Sequence, residues 1–209
     1  MSEARKAILQ RLRAGTWSSP NHAQGQRHIN DGPRPKLGAD LMTHFQDKLK
    51  DNVISYDMVE GPRDIVTSTM AFLQSQELPL QLCLVTHPLL KDLPWPETMN
   101  ARQGSVMDSD LSSVSVATAA IAETGSVVMT SSKDTPTEAN FLPDNFICVV
   151  EKTTLLAHME DLWAMQRQQH DTPPAVINII SGPSRTADVE QTIQLGAHGP
   201  RRMHVIIIE

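Results

Sequence analysis

The chain has 209 residues, 40% of them hydrophobic and 20% charged, a composition typical of a globular domain that needs neither disulfides nor metals to hold its core. Its formal net charge of −6 at pH 7 repels phosphate backbones, which argues against a nucleic-acid partner. No stretch reaches the roughly 18 consecutive apolar residues of a membrane span, and Ser2 to Arg13 lacks the apolar core of a signal peptide. We therefore expect a soluble, cytoplasmic protein.

The first predicted element is a short amphipathic helix over residues 2–13, which Gly15 ends. Residues 14–37, rich in Gly, Pro, Asn and Gln, read as a linker or a long wrapped loop. These features predict two parts, an N-terminal helix and extended arm over residues 1–35 and an α/β domain over residues 36–209. Because so long a loop is unusual, it should be poorly ordered or lie against a partner subunit, which leaves a homo-oligomer open.

From Leu41 onward, predicted helices and strands alternate. Helices are predicted over residues 41–49, 62–76, 153–169 and 186–195. Strands are predicted over residues 53–59, 80–86, 114–123, 126–131, 146–151, 175–180 and 203–208, and the proline-rich segment 88–96 is predicted as a loop. Short apolar strands separated by helices predict an α/β fold, with a mostly parallel central sheet and helices on both of its faces.

The two cysteines, Cys83 and Cys148, both lie in apolar runs. We expect them to be reduced, buried thiols in strands, since free cysteine packs as a small hydrophobic side chain. Two cysteines do not supply the four thiolates of an iron–sulfur cluster. Because the histidines and cysteines also lack metal-ligand spacing, the sequence predicts no metal site and no cofactor in this chain.

The strongest candidate for ligand binding is the loop from Ser181 to Thr186, between a predicted strand and the predicted helix 186–195. Its candidate residues are Ser181, Gly182, Ser184, Arg185 and Thr186. Free N–H groups at a helix N-terminus attract anions, and an arginine can hold a carboxylate or phosphate through two hydrogen bonds. The alternative is a simple helix cap. The loop matches neither a Walker motif nor a dinucleotide-binding fingerprint.

A second candidate is the sequence Glu123-Thr124-Gly125 at the end of a predicted strand. A glutamate presented there can act as a base, a nucleophile or a ligand anchor, although an exposed turn is the alternative. Farther along, Arg201 and Arg202 follow a tight connection, where they either hold an anion or face solvent.

Three segments make the sequence similar to a known family: 120–126, 140–144, and 180–190 continuing to Arg201. Together they resemble the LUD domain, and the lactate utilisation protein C family in particular. The resemblance is specific from about residue 110 to the C-terminus and looser over residues 36–109. It implies a fold similar to that of sugar-phosphate isomerases, CoA transferases and formyltetrahydrofolate cyclo-ligases.

The resemblance also implies a function, as a non-redox subunit of a system that oxidises L-lactate to pyruvate. Iron–sulfur clusters are then expected on partner proteins, and this chain is expected to bind a small carboxylate or phosphate-containing ligand. By motif, a catalytic role is carried over to Glu123, and ligand binding to Thr124, Gly125, Ser181, Gly182, Ser184, Arg185 and Thr186.

Two alternatives stay open. One is a stand-alone enzyme of CoA-transferase or cyclo-ligase type that uses Glu123, and the other is a scaffold or regulatory protein with a vestigial pocket. The family signature adds one geometric expectation, that the Glu123 and Ser181 motifs meet at one edge of one sheet.

Overall fold

The structure is a computed structural model that describes residues 34–38, 40–169, 174–187, 193–196 and 198–209, together with Arg5, Lys6 and Gln10. Those three residues are helical and exposed, and the rest of the predicted helix 2–13 lies outside the described residues. Most of the predicted arm 14–37 also lies outside them, and the predicted boundary near residue 35 stays a prediction. Every element named below belongs to one compact unit, Arg34–Glu209.

Six strands form the central sheet, and every neighbouring pair in it is parallel. They are β1 Ser55–Val59, β2 Leu82–Leu84, β3 Ala101–Gln103, β4 Ser112–Val116, β7 Asn145–Glu151 and β12 Arg202–Ile208. Their order across the sheet is β1-β12-β7-β4-β2-β3. The near-continuous apolar runs of β7 and β12 suit this arrangement, because strands of a parallel sheet are covered on both faces.

A second sheet has four strands in the order β8-β5-β6-β9. These are β5 Ala119–Ile121, β6 Ser126–Thr130, β8 Leu155–Leu156 and β9 Ile177–Ile180. Strand β6 runs antiparallel to both β5 and β9, which leaves the loop after β5 and the loop after β9 at the same end of this sheet. A separate antiparallel pair is formed by β10 Arg185–Ala187 and β11 Ile193–Leu195.

The helices complete a layered structure: α1 Leu41–Asp51, α2 Asp64–Ser75, the short α3 Pro88–Lys91 and α4 Met159–Gln169. Helix α1 begins where the Asp40 side chain accepts hydrogen bonds from the backbone N–H groups of Met42 and Thr43. Phe45 and Leu49 of α1 pack on the sheet face that bears Cys148 and Val205. Helix α2 covers the opposite face, where Ile65 and Leu73 contact the side-chain row containing Ile206.

This arrangement confirms the predicted α/β fold with a parallel central sheet and a helix on each face. The four-stranded sheet adds a layer that the hydrophobic pattern did not reveal. Its inward side joins the α1 core through Ala120 and Val127, while its outward side packs against Leu162 of α4.

Three element predictions are wrong in detail. Residues 114–123 are not one strand, because the chain leaves the parallel sheet after Val116 and enters the second sheet at Ala119. The predicted helix 153–169 starts only at Met159, since Leu155 and Leu156 pair with β5 instead. The segment 88–96 contains a helical turn that begins at Pro88. Proline suits the first position of a helix, because the backbone N–H that it lacks would have no partner within the helix there.

The predicted helix 186–195 is also wrong where the structure describes it. Residues 185–187 pair with residues 193–195 in an antiparallel register, with Arg185 opposite Leu195. The segment is rich in β-branched residues, which pack better on a strand than in a helix. Residues 188–192, including the signature residues Asp188 and Glu190, lie outside the described residues.

Both cysteines are buried free thiols in strands of the central sheet, as predicted, with Cys83 in β2 and Cys148 in β7. Burial raises the pKa of both thiols, and it does so more strongly for Cys148. We therefore expect the native protein to resist a chromogenic disulfide reagent near pH 8, whereas denatured protein should release about two equivalents of reporter, because thiolate is the reactive form. Rapid labelling of either thiol in the folded protein would contradict this burial.

Candidate functional site

The turn from Ala122 to Gly125 is held tightly against the end of α1. Gly125 has a φ of +63°, and the Cβ of any other residue there would come within 2.9 Å of the Lys48 backbone carbonyl oxygen. The side-chain amide of Asn52 donates hydrogen bonds to the carbonyl oxygens of Thr124, at 2.7 Å, and Gly125, at 3.5 Å. A glycine is therefore required at this point of the signature for a packing reason.

A chain of three hydroxyl groups joins the two signature motifs. Ser126 Oγ is 2.6 Å from Thr124 Oγ1 and 2.7 Å from Ser181 Oγ, and Ser126 is fully buried. Like Gly125, Gly182 packs closely against the end of α1, because a Cβ at this position would lie 2.8 Å from the Asn52 carbonyl oxygen. The structure thus brings Thr124, Gly125, Ser181 and Gly182 together at one end of the four-stranded sheet, and hydroxyl groups of this cluster bond to one another.

Glu123 points to a different neighbour. Its Oε2 lies 3.1 Å from Nδ1 of His158, and its backbone N–H donates to the Ala157 carbonyl. Both side chains are mostly buried, with 22% of Glu123 and 14% of His158 exposed. His158 is in turn positioned at the start of α4, where its backbone N–H donates to the Asp161 carboxylate. Glu123 is therefore next to the hydroxyl chain in sequence but takes part in a separate hydrogen-bonded pair.

Ser184 forms hydrogen bonds beside the hairpin of β10 and β11, which follows the loop. Its backbone N–H donates to the Pro200 carbonyl at 2.8 Å, and its carbonyl accepts from Gly196 at 3.2 Å. Its side-chain oxygen accepts from the backbone N–H of His198. Arg185 and Thr186 start strand β10, so the expectation that they begin a helix, with its anion-attracting N–H groups, is wrong. The positive charge next to this loop comes instead from basic side chains.

Those charges surround a cavity of about 470 Å³. Four basic side chains line it: Lys50, Arg185, Arg201 and Arg202. Pro183 of the signature loop forms part of the wall, and so do Ile54, Ser55 and Met203, which lie at the amino ends of β1 and β12. The cavity therefore opens at the amino ends of two parallel strands, although ligand sites of open α/β sheets usually lie beyond the carboxyl ends.

The basic residues differ in how firmly they are held. Arg201 Nε lies 3.3 Å from Asp144 Oδ1, and Arg202 Nη1 donates to the Asn145 side-chain oxygen at 3.4 Å. Lys50 Nζ lies 3.2 Å from Asp47 Oδ1, and this hydrogen bond raises the pKa of Lys50. Arg185 is exposed and makes no ion pair within the described part of the chain. Among the described residues, the two carboxylates offset only part of the four positive charges, so the lining of the cavity has a net positive charge.

Sequence analysis found two of the four chain segments that line this cavity and missed the other two. Arg185 belonged to the predicted loop, and Arg201 and Arg202 were noted as anion-holding candidates. The missed segments are Lys50 to Ser55, which links α1 to β1, and Phe72 to Gln76 at the end of α2. For the segment Lys50 to Ser55, the only sequence signal was a pair of lysines in the last turn of α1, a position that the helix dipole explains without a ligand.

Comparisons with known proteins agree with this signature. Residues 90–208 match the LUD domain. Lactate utilization protein C from Bacillus licheniformis is 37% identical over 92 residues, which cover 43% of this chain and 38% of the relative. The protein of the same name from Bacillus subtilis is 36% identical over 91 residues, covering 42% and 38%. The matched segment thus spans about two fifths of the length of these relatives.

A solved structure also resembles this fold. It is the crystal structure of a DUF162 family protein from Deinococcus radiodurans, with a TM-score of 0.61 and 20% sequence identity. The match covers 84% of this chain and 100% of that protein.

Within the described residues, no helix has the length and apolar character needed to cross a membrane.

Proposed function

The chain belongs to the LUD domain family, and on that premise we propose that it is a subunit of an L-lactate utilisation system that binds a small anion and carries no redox centre of its own. The names of its relatives support the lactate utilisation role. The basic cavity beside the signature loop supports anion binding, and it is the observation on which the proposal rests. We place the protein in the cytoplasm, where cysteines stay reduced.

The cavity concentrates positive charge on a chain whose net charge is −6. A ligand therefore meets an attractive field only at such local clusters, which favours binding of a small anion over an extended polyanion. Arg201 and Arg202 are already held by Asp144 and Asn145, so less side-chain freedom is lost when a ligand binds. Arg185 makes no ion pair within the described ranges, and its guanidinium group suits a carboxylate or phosphate held in a bidentate manner.

The proposed partners carry the iron–sulfur clusters. A cluster of this kind is usually held by four cysteine thiolates, and this chain contributes two cysteines that lie on different strands with no exposed surface. Electron transfer would then occur on a partner, while this subunit supplies the anion site. Affinity purification from the native host under anaerobic, low-salt conditions tests the assembly. Recovery of this chain alone, without a protein showing iron–sulfur absorbance, would argue against it.

Replacing Arg185 with alanine should weaken anion binding about tenfold, since a hydrogen bond to a charged group contributes about 1.5–3 kcal/mol. The probes are L-lactate, pyruvate and inorganic phosphate, measured by isothermal titration calorimetry. Stability should barely change because Arg185 is exposed. Arg63→Ala serves as the matched control, because Arg63 is also exposed and lies outside the cavity wall.

Two outcomes would count against this proposal. Equal weakening in both variants would show a general charge effect. Indifference of the wild-type protein to every probe would favour a scaffold or regulatory protein with a vestigial pocket, because a bound ligand stabilises the folded state by mass action.

A second candidate function is acyl transfer by a stand-alone enzyme of CoA-transferase or cyclo-ligase type. The observation in its favour is the Glu123–His158 hydrogen bond, since a histidine can position a carboxylate and exchange a proton with it. Glu123, however, does not line the basic cavity, so a ligand held there would not meet its carboxylate. Acyl transfer by the isolated chain that is lost in Glu123→Gln would favour this candidate.

A further inference from the structure

A second cavity, of about 270 Å³, continues from the basic one along β1 and α2. Ser55, Phe72 and Gln76 line both cavities, so the two form one cleft with a shared wall. The basic cavity is on the scale of a small-ligand site, and the second cavity is slightly smaller than that. The second cavity contains none of the basic residues, and its wall includes Asp57 and His204. The cleft is therefore positive in one half and acidic in the other.

The acidic half is built around a buried histidine. His204 Nδ1 lies 2.9 Å from Ser55 Oγ, and its Nε2 is 3.6 Å from Asp57 Oδ2. Only 4% of the His204 side chain is exposed, and its Nε2 has no hydrogen-bond partner among the residues that the structure describes. An unpartnered buried nitrogen is uncommon, because burying a polar group without a hydrogen bond is unfavourable. The polar groups of His204, Ser55 and Asp57 thus lie together in the wall of the second cavity.

Neighbouring residues hold the Asp57 and His204 side chains in place. Ser68 on α2 donates a hydrogen bond of 2.6 Å to Asp57 Oδ2. The His204 ring stacks on Phe72, with 4.4 Å between ring centroids and 12° between planes. Ser55 is exposed, and 46% of the Asp57 side chain is exposed. Asp57 Oδ1 accepts no hydrogen bond within the described ranges, so one carboxylate oxygen is available to a ligand.

Serine, histidine and aspartate are also the residue types of a nucleophilic triad, but this geometry favours binding instead. The Asp57–His204 separation of 3.6 Å is too long for the hydrogen bond that orients a catalytic imidazole. Burial lowers the pKa of His204 to about 4, which makes it a weak base for activating a serine hydroxyl. The cleft therefore offers two hydrogen-bonding groups, Ser55 and Asp57, next to the basic side chains of the first cavity.

We propose that this cleft binds an anion whose carbon skeleton carries hydroxyl groups. The anionic group lies among Arg185, Arg201 and Arg202, and the hydroxyl groups donate to Asp57 and exchange hydrogen bonds with Ser55. The Asp57 carboxylate repels a second anionic group, so it selects for a neutral donor at that end of the ligand. This inference rests on the proposed function, because it takes the basic cavity as the anion site.

Matched ligand pairs test the inference with the full chain. D-gluconate is compared with hexanoate, and glycerol 3-phosphate with propyl phosphate, by isothermal titration calorimetry. The two pairs distinguish a carboxylate from a phosphate as the anionic group. In at least one pair the hydroxylated ligand should bind about tenfold more tightly, since one hydrogen bond to a charged group has that effect. Asp57→Ala should abolish this preference for the hydroxylated ligand.

Ser55→Ala is a second variant, which removes the Ser55 hydroxyl and its hydrogen bond with His204 Nδ1, and it should reduce the same preference. Asp57→Asn should retain part of it, because an amide oxygen still accepts a hydrogen bond. Equal affinities within both pairs, or a preference that survives Asp57→Ala, would overturn the inference while leaving anion binding intact. Failure of all four ligands to bind would overturn the proposed anion site and this inference together.

Discussion

Replacing Gly125 with alanine is expected to lower the free energy of unfolding by about 2–5 kcal/mol. The φ of +63° places Gly125 in the left-handed region, where a Cβ is unfavourable by about 1–2 kcal/mol. The new Cβ would also lie 2.6 Å from Lys48 Cβ and 2.7 Å from the Lys48 carbonyl carbon. The backbone of α1 does not swing aside as a flexible side chain does, so the helix or the turn must move.

The measurement is urea unfolding followed by circular dichroism. Gly61→Ala is the matched control, because nothing lies within 4 Å of a Cβ at that position. It should stay within about 1 kcal/mol of the wild-type protein. A Gly125→Ala variant as stable as this control would contradict the close contact between the signature turn and α1.

Acidification is expected to reduce stability through His204 between about pH 6.5 and pH 4. Burial is the main cause that lowers the pKa of this histidine from 6.5 to about 4 in the folded protein. Within this window the unfolded state binds a proton that the folded state does not, so the free energy of unfolding falls as pH falls. Above pH 6.5 His204 is neutral in both the folded and the unfolded state, so it causes no loss of stability there. The loss amounts to at most about 3 kcal/mol.

Urea titrations at half-unit steps from pH 4.5 to 7.5, with wild-type protein and His204→Gln, isolate this effect. The variant is less stable at neutral pH because it loses the stacking on Phe72, but its stability should depend less on pH. His87 acts in the same direction, because burial lowers its pKa too, and it is present in both proteins. Identical slopes for the two proteins would refute the assignment to His204.

Several features of this protein follow from residue pattern alone. The apolar runs at 146–151 and 203–208 predict buried parallel strands, and both are found next to each other in the central sheet. The apolar stripe through Phe45 and Leu49 predicts helix α1, because helical periodicity places such residues on one face. Local patterns succeed here because each element buries one surface, and burial repeats with the geometry of that element.

Other segments depend on partners that the local pattern does not reveal. Residues 119–121 pair with residues 155–156 in the second sheet. The first segment lies in the predicted strand 114–123, and the second lies in the predicted helix 153–169. Residues 185–187 form a hairpin strand because residues 193–195 and the Ser184 hydrogen bonds hold them there. Short segments of three residues carry too little periodic signal to distinguish strand from helix, so the tertiary contact decides.

The same division holds for the candidate site. Sequence by itself determined the residue types: the Glu123-Thr124-Gly125 turn, the Ser181–Thr186 loop and the arginines at 201 and 202. Only the tertiary structure joined Thr124 to Ser181 through Ser126, and turned Glu123 toward His158. It also placed Lys50 and Ser55 in the cleft. These pairings span long stretches of chain, and hydrogen bonds and charges act over a few ångströms, so only the folded chain decides which of them meet.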